Sequence, residues 1–296
     1  MQGPQYVDPG TYLFRFMDHQ TEYFWPAITD MLAEQKLYLN SRTRFNDAYD
    51  SRPQIQDDLS PSIIRRHAAE LFRNPWHHTR DVSHIPQILK LKQRDNIRLN
   101  KKQINNIKIE TQGNAIEFLD QCGLLSFSLS GNNRLLWAHY AAGSSGACVV
   151  FRRGTSMQSA LCLCARVLYV EKLPSLPMSL LFEMARAQRS DRPSADELAD
   201  RVLFLSFLQK DQPWKYEDEA RIFSPFHASK KVQFNRDELI AIILGPRAPS
   251  NLEERLRSAV SRLAPAVQIH RASLSPSGFE IVLPKAIADI ATSHAA

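Results

Sequence analysis

A short charged segment in the last third of the chain most constrains how the sequence can fold. It reads Trp-Lys-Tyr-Glu-Asp-Glu-Ala-Arg over residues 214–221 and continues into an apolar, strand-like run. Because successive side chains of a strand point to opposite faces, Glu217, Glu219 and Arg221 should share one face. Two carboxylates on one face repel each other and need a cation, a metal or a substrate beside them. Either Arg221 neutralises them as a structural ion pair, or they form part of a functional site.

The composition predicts an ordered protein without membrane segments. With 296 residues and 44% hydrophobic content, the chain can bury a full core, and we expect a single domain spanning residues 1–296. No run of 18 apolar residues occurs, and the N-terminus lacks the basic and apolar regions of a signal peptide. We therefore expect a cytoplasmic protein, or one delivered into a target cell without a classical signal peptide. The four scattered cysteines form no Cys-x-x-Cys pair and are expected to be buried apolar residues.

The pattern of residues along the chain predicts an α+β fold in which short strands alternate with two long helical segments. The first helical segment is an insert at residues 57–121, opened by Ser60 as N-cap and Pro61 in the first turn. The second covers residues 172–212. Capping-box patterns open further helices at Ser194 and Ser250. Strands are predicted at residues 12–16, 37–40, 124–129, 147–151, 164–170, 219–223, 232–234, 239–244 and 267–270.

A basic stretch between Lys90 and Lys108 is a candidate surface for nucleic acid. It contains a single acid, Asp95. The alternative is the solvated face of a helix, because the interleaved aromatic residues of a base-stacking surface are missing. The basic residues are Lys90, Lys92, Arg94, Arg98, Lys101, Lys102 and Lys108.

Two groups of polar residues stand in strand-like surroundings, where burial is costly without a partner or a ligand. Arg15 lies in the run Tyr-Leu-Phe-Arg-Phe and requires an anion, which is either a ligand phosphate or an internal acid. Ser126 and Ser128 are two residues apart on a predicted strand. Both hydroxyls can therefore face one ligand or one carboxylate.

Two further groups have a structural and a functional interpretation. Asn46 and Asp47 begin the sequence Asn-Asp-Ala-Tyr-Asp, which is typical of a turn whose side chains bond their own backbone. His139 stands between Trp137 and Tyr140, where it is either a core histidine or a functional one. Both groups are candidates for contacts with a ligand.

Two resemblances follow from these motifs. The motifs of the first are residues 37–39, 45–47, 126–128, 137–140, 214–221 and 242–245, together with Asp50 and Gly146. They resemble the bacterial domain-of-unknown-function family 2971, which implies no established activity, and the match departs at Ala48, where that family usually has proline. The order of Arg15, the Ser-Phe-Ser of residues 126–128 and the Glu-Asp-Glu of residues 217–219 is also similar to the signature of R-S-E class mono-ADP-ribosyltransferases.

The second resemblance implies a split β-sandwich that holds NAD, as substrate, in a cleft and carries a large helical insertion. In that scheme Arg15 binds the phosphates or the ribose, and Ser126 or Ser128 orients the second glutamate. Glu219 holds the nicotinamide ribose and stabilises the oxocarbenium ion, and Glu217 activates the acceptor. The residues expected to line the same cofactor pocket are Asn46, Asp47, Trp137, His139 and Tyr140.

Two alternative functions remain open at this point. The first is a metal-dependent nuclease or phosphoesterase in which the basic stretch contacts the nucleic acid. Its ligands would be Asp47, Asp50, His139, Glu217 and Glu219. The second is a non-catalytic, nucleotide-sensing module that uses the same cleft. The transferase hypothesis leaves protein and nucleic acid open as acceptors and fits a bacterial toxin, an effector or an antiphage defence protein.

Overall fold

The fold is organised around a large, mostly antiparallel sheet. The computed structural model describes residues 4–67, 99–172, 174–189, 194–277, 281–285 and 287. The strands are β1 (Tyr12–Met17), β2 (Lys36–Ser41), β3 (Gln54–Gln56), β4 (Gly123–Ser128), β5 (Ala147–Arg152), β6 (Ala165–Arg166), β7 (Leu168–Val170), β8 (Ser175–Pro177), β9 (Gln209–Asp211), β10 (Glu219–Ser224), β11 (Lys230–Gln233), β12 (Leu239–Leu244), β13 (Gln268–Arg271), β14 (Ser273–Leu274) and β15 (Ile281–Val282).

Helices separate and cover these strands. They are α1 (Phe24–Thr29), α2 (Pro61–Arg66), α3 (Lys101–Asp120), α4 (Arg134–Tyr140), α5 (Met178–Arg189), α6 (Ser194–Phe207) and α7 (Ser250–Leu263). A π-helical turn, Asp30–Glu34, extends α1 to the left-handed residue Gln35. The predicted α+β class is therefore confirmed. Within the described ranges, every helix is too short or too polar to span a bilayer.

The main sheet divides at β4. Its order is β11-β2-β4-β1-β5-β12-β13, and β10 pairs with β4 and β6 outside this path. Along its whole length β4 pairs with β10 on one edge. On the other edge, Leu124 pairs with Asn40 of β2 and Ser128 pairs with Phe14 of β1. Strands β1 and β2 thus diverge from opposite ends of the same edge.

The two faces of β4 and β10 have different chemical character. One face enters the main apolar core through Leu125, Phe127, Ala220 and Ile222. The other face, by strand alternation, carries Ser126, Ser128, Glu219 and Arg221. The predicted common face for Glu219 and Arg221 is confirmed. Glu217 is not on the strand, because it ends a 3-10 turn at Gln212–Glu217 and Asp218 then takes a left-handed conformation with φ of 43°.

The two predicted helical segments share one packed layer. In the described part of the insert, α2 and α3 contact α5 through a common apolar cluster, whose members are Leu59, Ile64, Leu99, Ile104, Met178 and Phe182. The parallel pairing of β3 with β8 joins the two segments at their starts. Short strands β8 and β9 lie inside the range predicted as helical, because runs of three residues are too short to show a period.

The predicted helix starts agree with the structure in one case and differ in another. Ser60 caps α2, since its hydroxyl accepts a hydrogen bond from the Ile63 amide at 3.3 Å. Helix α7 starts at Ser250 but has Pro249 at the N-cap and no side-chain cap, so the predicted capping box is wrong there. All four cysteines are buried, as expected.

We expect Gly123→Ala to destabilise the protein, because Gly123 lies where β2 and β10 both pair with β4. An added Cβ would stand 2.4 Å from the His227 carbonyl oxygen and 2.7 Å from the Leu39 Cβ. Such overpacking costs about 1–3 kcal/mol of unfolding free energy. The matched control is Gly113→Ala in α3, whose Cβ meets no heavy atom within 4 Å. It should gain about 0.5–1 kcal/mol from helix propensity. Urea denaturation measures both, and equal effects would contradict the packing at β4.

Candidate functional site

A cavity of about 210 Å³ lies beside β1, β4 and the start of β10. Seven of the ten predicted site residues line it: Arg15, Asn46, Ser126, Ser128, Tyr140, Glu217 and Glu219. The apolar lining comes from Phe14, Phe16, Phe45, Phe127 and Leu136. The structure thus brings residues from four separate parts of the chain to one cavity with aromatic walls.

A fully buried arginine lies under this cavity. The Arg221 guanidinium donates to both Asp50 oxygens at 2.8 and 2.7 Å, and to both Glu219 oxygens at 2.7 and 2.9 Å. Its Nη1 also donates to the Ser51 hydroxyl and the Phe207 carbonyl, each at 2.9 Å. Bidentate geometry of this kind gives strong, oriented ion pairs. The proposed structural ion pair between Arg221 and Glu219 is therefore present, and Asp50 is its second acid.

A buried lysine completes the ionic cluster. The Lys210 Nζ lies 2.5 Å from Glu217 Oε2, 3.1 Å from Glu219 Oε2 and 3.4 Å from Asp50 Oδ2. Three carboxylates, Asp50, Glu217 and Glu219, therefore face two cations, Lys210 and Arg221. This ionic cluster therefore has a formal charge of −1.

The cluster keeps Asp50 and Glu219 ionised. Burial alone would raise the pKa of Glu219, but attraction to Arg221 and Lys210 outweighs burial and lowers this pKa below the ordinary value. The same balance between burial and Arg221 lowers the pKa of Asp50. Burial would lower the pKa of Lys210, but Glu219 and Asp50 raise it above the ordinary value. Asp50 and Glu219 are thus carboxylates and Lys210 is an ammonium at neutral pH.

Hydrogen bonds from neighbouring elements fix the position of Glu217. The Tyr140 hydroxyl donates to Glu217 Oε1 at 2.8 Å, and burial followed by the Glu217 charge raises the pKa of Tyr140. The Ser128 hydroxyl donates to the Glu217 carbonyl at 2.7 Å. Ser128 therefore positions the backbone of the first glutamate, whereas the resemblance assigned a serine to the second. The Asn133 side chain donates to the Tyr216 carbonyl and anchors the same turn.

Arg15 differs from Arg221 because the described part of the chain supplies no partner for its guanidinium. Burial lowers the pKa of Arg15 to about 10, and no acidic side chain offsets this effect. The internal acid that was one interpretation of Arg15 is therefore absent among the described residues. The Ser126 hydroxyl, on the same cavity, likewise makes no hydrogen bond within the described ranges. A half-buried guanidinium without a counter-charge favours an anionic ligand.

Three predicted site residues do not reach the cavity. Trp137 is fully buried, its indole N–H donates to the Gly131 carbonyl at 2.8 Å, and its ring packs edge-on against Phe16 at 5.2 Å. Its ring therefore packs in the core, outside the cavity that the other predicted site residues line. His139 is exposed on α4. Asp47 accepts a hydrogen bond from the Tyr49 amide at 2.9 Å, which is the turn interpretation.

Lys210 was not predicted as a site residue. The sequence contains an indirect signal, because two glutamates beside one arginine leave a negative surplus that calls for another cation. The sequence does not identify which of the 37 lysines and arginines supplies it. Lys210 reaches the glutamates only through the pairing of β9 with β7 and the fold of the following turn.

The donor set of the nuclease hypothesis is not assembled in the described part of the chain. No group of three or more His, Cys, Asp or Glu side chains is arranged there to hold a metal ion. Asp50, Glu217 and Glu219 do converge, but they surround the Lys210 ammonium. His139 and Asp47, the other two expected ligands, lie outside the cavity.

The basic stretch falls only partly within the described residues. Lys90, Lys92, Arg94 and Arg98 lie outside them. Lys101 and Lys102 are exposed at the start of α3. Lys108 contacts both Asp57 oxygens, at 2.6 and 2.8 Å, so its charge is paired within the chain.

A second, larger cavity of about 590 Å³ lies at the starts of β12 and β13. Its walls include Leu239, Ile240 and Val267, with Arg236 and Asp237 also contributing. None of the predicted site residues lines it. Despite its smaller volume, the cavity beside β4 is the better candidate site, because it combines ionised, hydroxyl and aromatic groups.

Comparison of the chain with protein-family models, curated proteins and solved structures finds no match. The resemblances to family 2971 and to the R-S-E transferases therefore stay predictions from sequence motifs.

We expect Arg221→Met to be strongly destabilising, because it leaves Asp50 and Glu219 buried without their main cation. Loss of one partner from a buried ion pair costs about 3–5 kcal/mol of unfolding free energy. The matched control is Arg257→Met, since the Arg257 side chain is 56% exposed in its pair with Glu253. That change should cost less than about 1 kcal/mol. Urea denaturation of both variants tests this, and a small loss for Arg221→Met would contradict the network.

We also expect the unfolding free energy to fall in acid. Asp50 and Glu219 have lowered pKa values in the folded protein, so their contribution is present above their ordinary values of 3.8 and 4.5. It is lost as the pH falls through the lowered values. Asp50→Asn should flatten this dependence below about pH 4, and Glu254→Gln on the surface of α7 serves as the control. Denaturation at several pH values measures how the unfolding free energy changes with pH. Identical slopes for the wild type, Asp50→Asn and Glu254→Gln would refute the assignment.

Proposed function

We propose that the chain binds NAD in the cavity beside β4 and transfers ADP-ribose to a macromolecular acceptor. The observation that carries this proposal is the convergence of Arg15, Ser126 and Glu219 on one cavity. These residues come from separate strands and match the order of the R-S-E signature. The division of the sheet at β4 supports the split β-sandwich that this signature implies.

The lining supplies groups suited to each part of NAD. The Arg15 guanidinium carries an uncompensated positive charge for a phosphate, and the free Ser126 hydroxyl can bond a ribose. Phenylalanine rings provide a wall for the nicotinamide. The cavity volume of about 210 Å³ is below the roughly 300–1,000 Å³ of typical ligand pockets. We therefore assign this cavity to the nicotinamide ribose and expect the adenosine to lie outside it.

The chemical step is a substitution at the anomeric carbon of the nicotinamide ribose. The bond from this carbon to the nicotinamide nitrogen breaks, and its electron pair leaves with neutral nicotinamide. Positive charge then develops on the ribose, where ionised Glu219 stabilises it. The acceptor forms a new bond to the same carbon and gives its proton to Glu217.

One observation favours a second candidate, a nucleotide-sensing module without catalysis. Arg221 and Lys210 already offset the charge of Glu219, at distances of 2.7 to 3.1 Å. A carboxylate in such pairs stabilises a developing positive charge less than an unpaired carboxylate would. The same cavity would then hold a nucleotide through Arg15 and the aromatic wall.

The test is to incubate the protein with NAD, with and without candidate acceptors, and to quantify nicotinamide. We expect release by the wild type and a loss of about 10²–10³-fold in rate for Glu219→Gln, because that change removes the stabilising charge. The control is Glu254→Gln, which changes an exposed glutamate of α7 and should keep the wild-type rate.

Calorimetric titration with NAD separates the two candidates. Binding without nicotinamide release supports the sensing module, and Arg15→Gln should then still weaken binding. If the protein shows no NAD binding and no nicotinamide release, both candidates are refuted.

A further inference from the structure

We propose that Lys210 is a positioning residue of the cavity, which holds the carboxylates of Glu217 and Glu219 side by side. This inference rests on the proposed function, in which both glutamates touch the substrate. The R-S-E signature contains no residue in this role.

The geometry around the Lys210 ammonium supports this role. An ammonium group has three N–H donors. The three nearest carboxylates belong to different elements: Glu217 ends a 3-10 turn, Glu219 begins β10, and Asp50 lies in the loop before β3. Lys210 is only 7% exposed, and its Nζ lies 4.8 Å from the centre of the Trp214 ring. One buried cation thus connects three segments that have no regular pairing with one another at this point.

Glu217 depends on Lys210 more than the other two acids do. The Arg221 guanidinium pairs with Asp50 and Glu219. Within the described ranges, Glu217 has Lys210 as its one cationic partner and the neutral Tyr140 hydroxyl as its other side-chain partner. Without Lys210, the surplus charge of the ionic cluster would rise from −1 to −2. Repulsion would then favour a proton on one carboxylate or separation of the two glutamates.

The remaining groups that face the cluster do not replace this cation. The neighbouring titratable groups are Tyr140, Tyr169, Tyr216 and Cys164, whose pKa values are all raised, first by burial. They are therefore neutral at physiological pH. The Tyr169 hydroxyl accepts a hydrogen bond from the Glu219 amide at 2.8 Å, so it holds the backbone and not the carboxylate.

The consequence concerns the state in which the glutamates meet the substrate. A carboxylate accepts a proton or stabilises a cation only when it is ionised. Removal of the Lys210 charge should therefore shift activity to higher pH, and the Lys210→Arg variant, which keeps the charge, should retain most of the wild-type behaviour. A side chain needed only for packing would not produce this difference between the two variants.

The first experiment follows the carboxyl carbons of the wild type, Lys210→Met and Lys210→Arg by ¹³C NMR over pH, with Glu219→Gln to assign the signal. We expect the pKa of Glu219 to rise by at least about one unit in Lys210→Met and by much less in Lys210→Arg. An unchanged Glu219 titration in folded Lys210→Met would overturn the inference.

A second measurement follows the Lys210 ammonium itself by ¹⁵N NMR and does not require the Lys210→Met variant. The protons of a buried, paired ammonium should exchange slowly with water. Its ¹⁵N signal should disappear in Lys210→Arg and shift in Glu219→Gln. A Lys210 ¹⁵N signal with the same chemical shift in the wild type and in Glu219→Gln would also overturn the inference.

The pH profile of nicotinamide release distinguishes this inference from the proposed function. If the inference holds, the acidic limb of kcat/KM moves up by about one pH unit in Lys210→Met and stays in place in Lys210→Arg. If Lys210→Met releases nicotinamide and its acidic limb stays at the wild-type pH, the proposed transferase function is retained and the role of Lys210 is refuted. No release by the wild type refutes the transferase, while the two NMR measurements still decide whether Lys210 holds the carboxylates.

Discussion

The ion pair of Arg221 with Asp50 and Glu219 is the interaction on which the rest of this site depends. It joins the loop before β3 to β10, and its Nη1 bond to the Phe207 carbonyl extends the connection to the end of α6. Removing a guanidinium and two carboxylates from water costs several kcal/mol per ion, and this loss is recovered only with well-aligned partners. The alignment here is bidentate toward both acids. The position of Glu219 at the cavity is therefore a consequence of the same contacts that hold the sheet to its helical layer.

Two arginines of the sheet, Arg221 and Arg15, differ in how far their positive charge is buried and compensated. Arg221 is fully compensated, and each of its terminal nitrogens donates to at least two acceptors. Arg15 is half-buried, desolvation lowers its pKa to about 10, and the described residues provide no counter-charge. Partial removal of an unpaired guanidinium from water costs free energy, which an anionic ligand in the cavity would offset. The contrast identifies Arg221 as part of the framework and Arg15 as the residue most in need of a ligand.

Period-two alternation made part of this structure predictable. It predicted the strands through Arg15, Ser126 and Glu219, and it placed Glu219 and Arg221 on one face. The alternation does not extend to Glu217. Asp218, between the two glutamates, adopts a left-handed conformation that the surrounding sequence does not indicate. Trp137 lies in an aromatic sequence that fits a pocket and a core equally well, and only the bond of its indole to Gly131 decides between them. Lys210 could not be predicted, because its contacts join residues whose proximity arises from the assembled fold.

The balance of charge across the cavity bears on the choice between catalysis and binding. The oxidised nicotinamide ring carries one positive charge, and the diphosphate of NAD is negative. The ionic cluster has a surplus of −1 and Arg15 carries +1, so the two ends of such a ligand would meet charges of opposite sign. When the glycosidic bond breaks, the positive charge moves from the nicotinamide to the ribose. Binding alone requires only that the cluster attract the ring, whereas catalysis requires that it attract the ribose cation more strongly. Arg221 and Lys210 contact both oxygens of the Glu219 carboxylate, so that difference depends on where the ribose lies relative to Glu219.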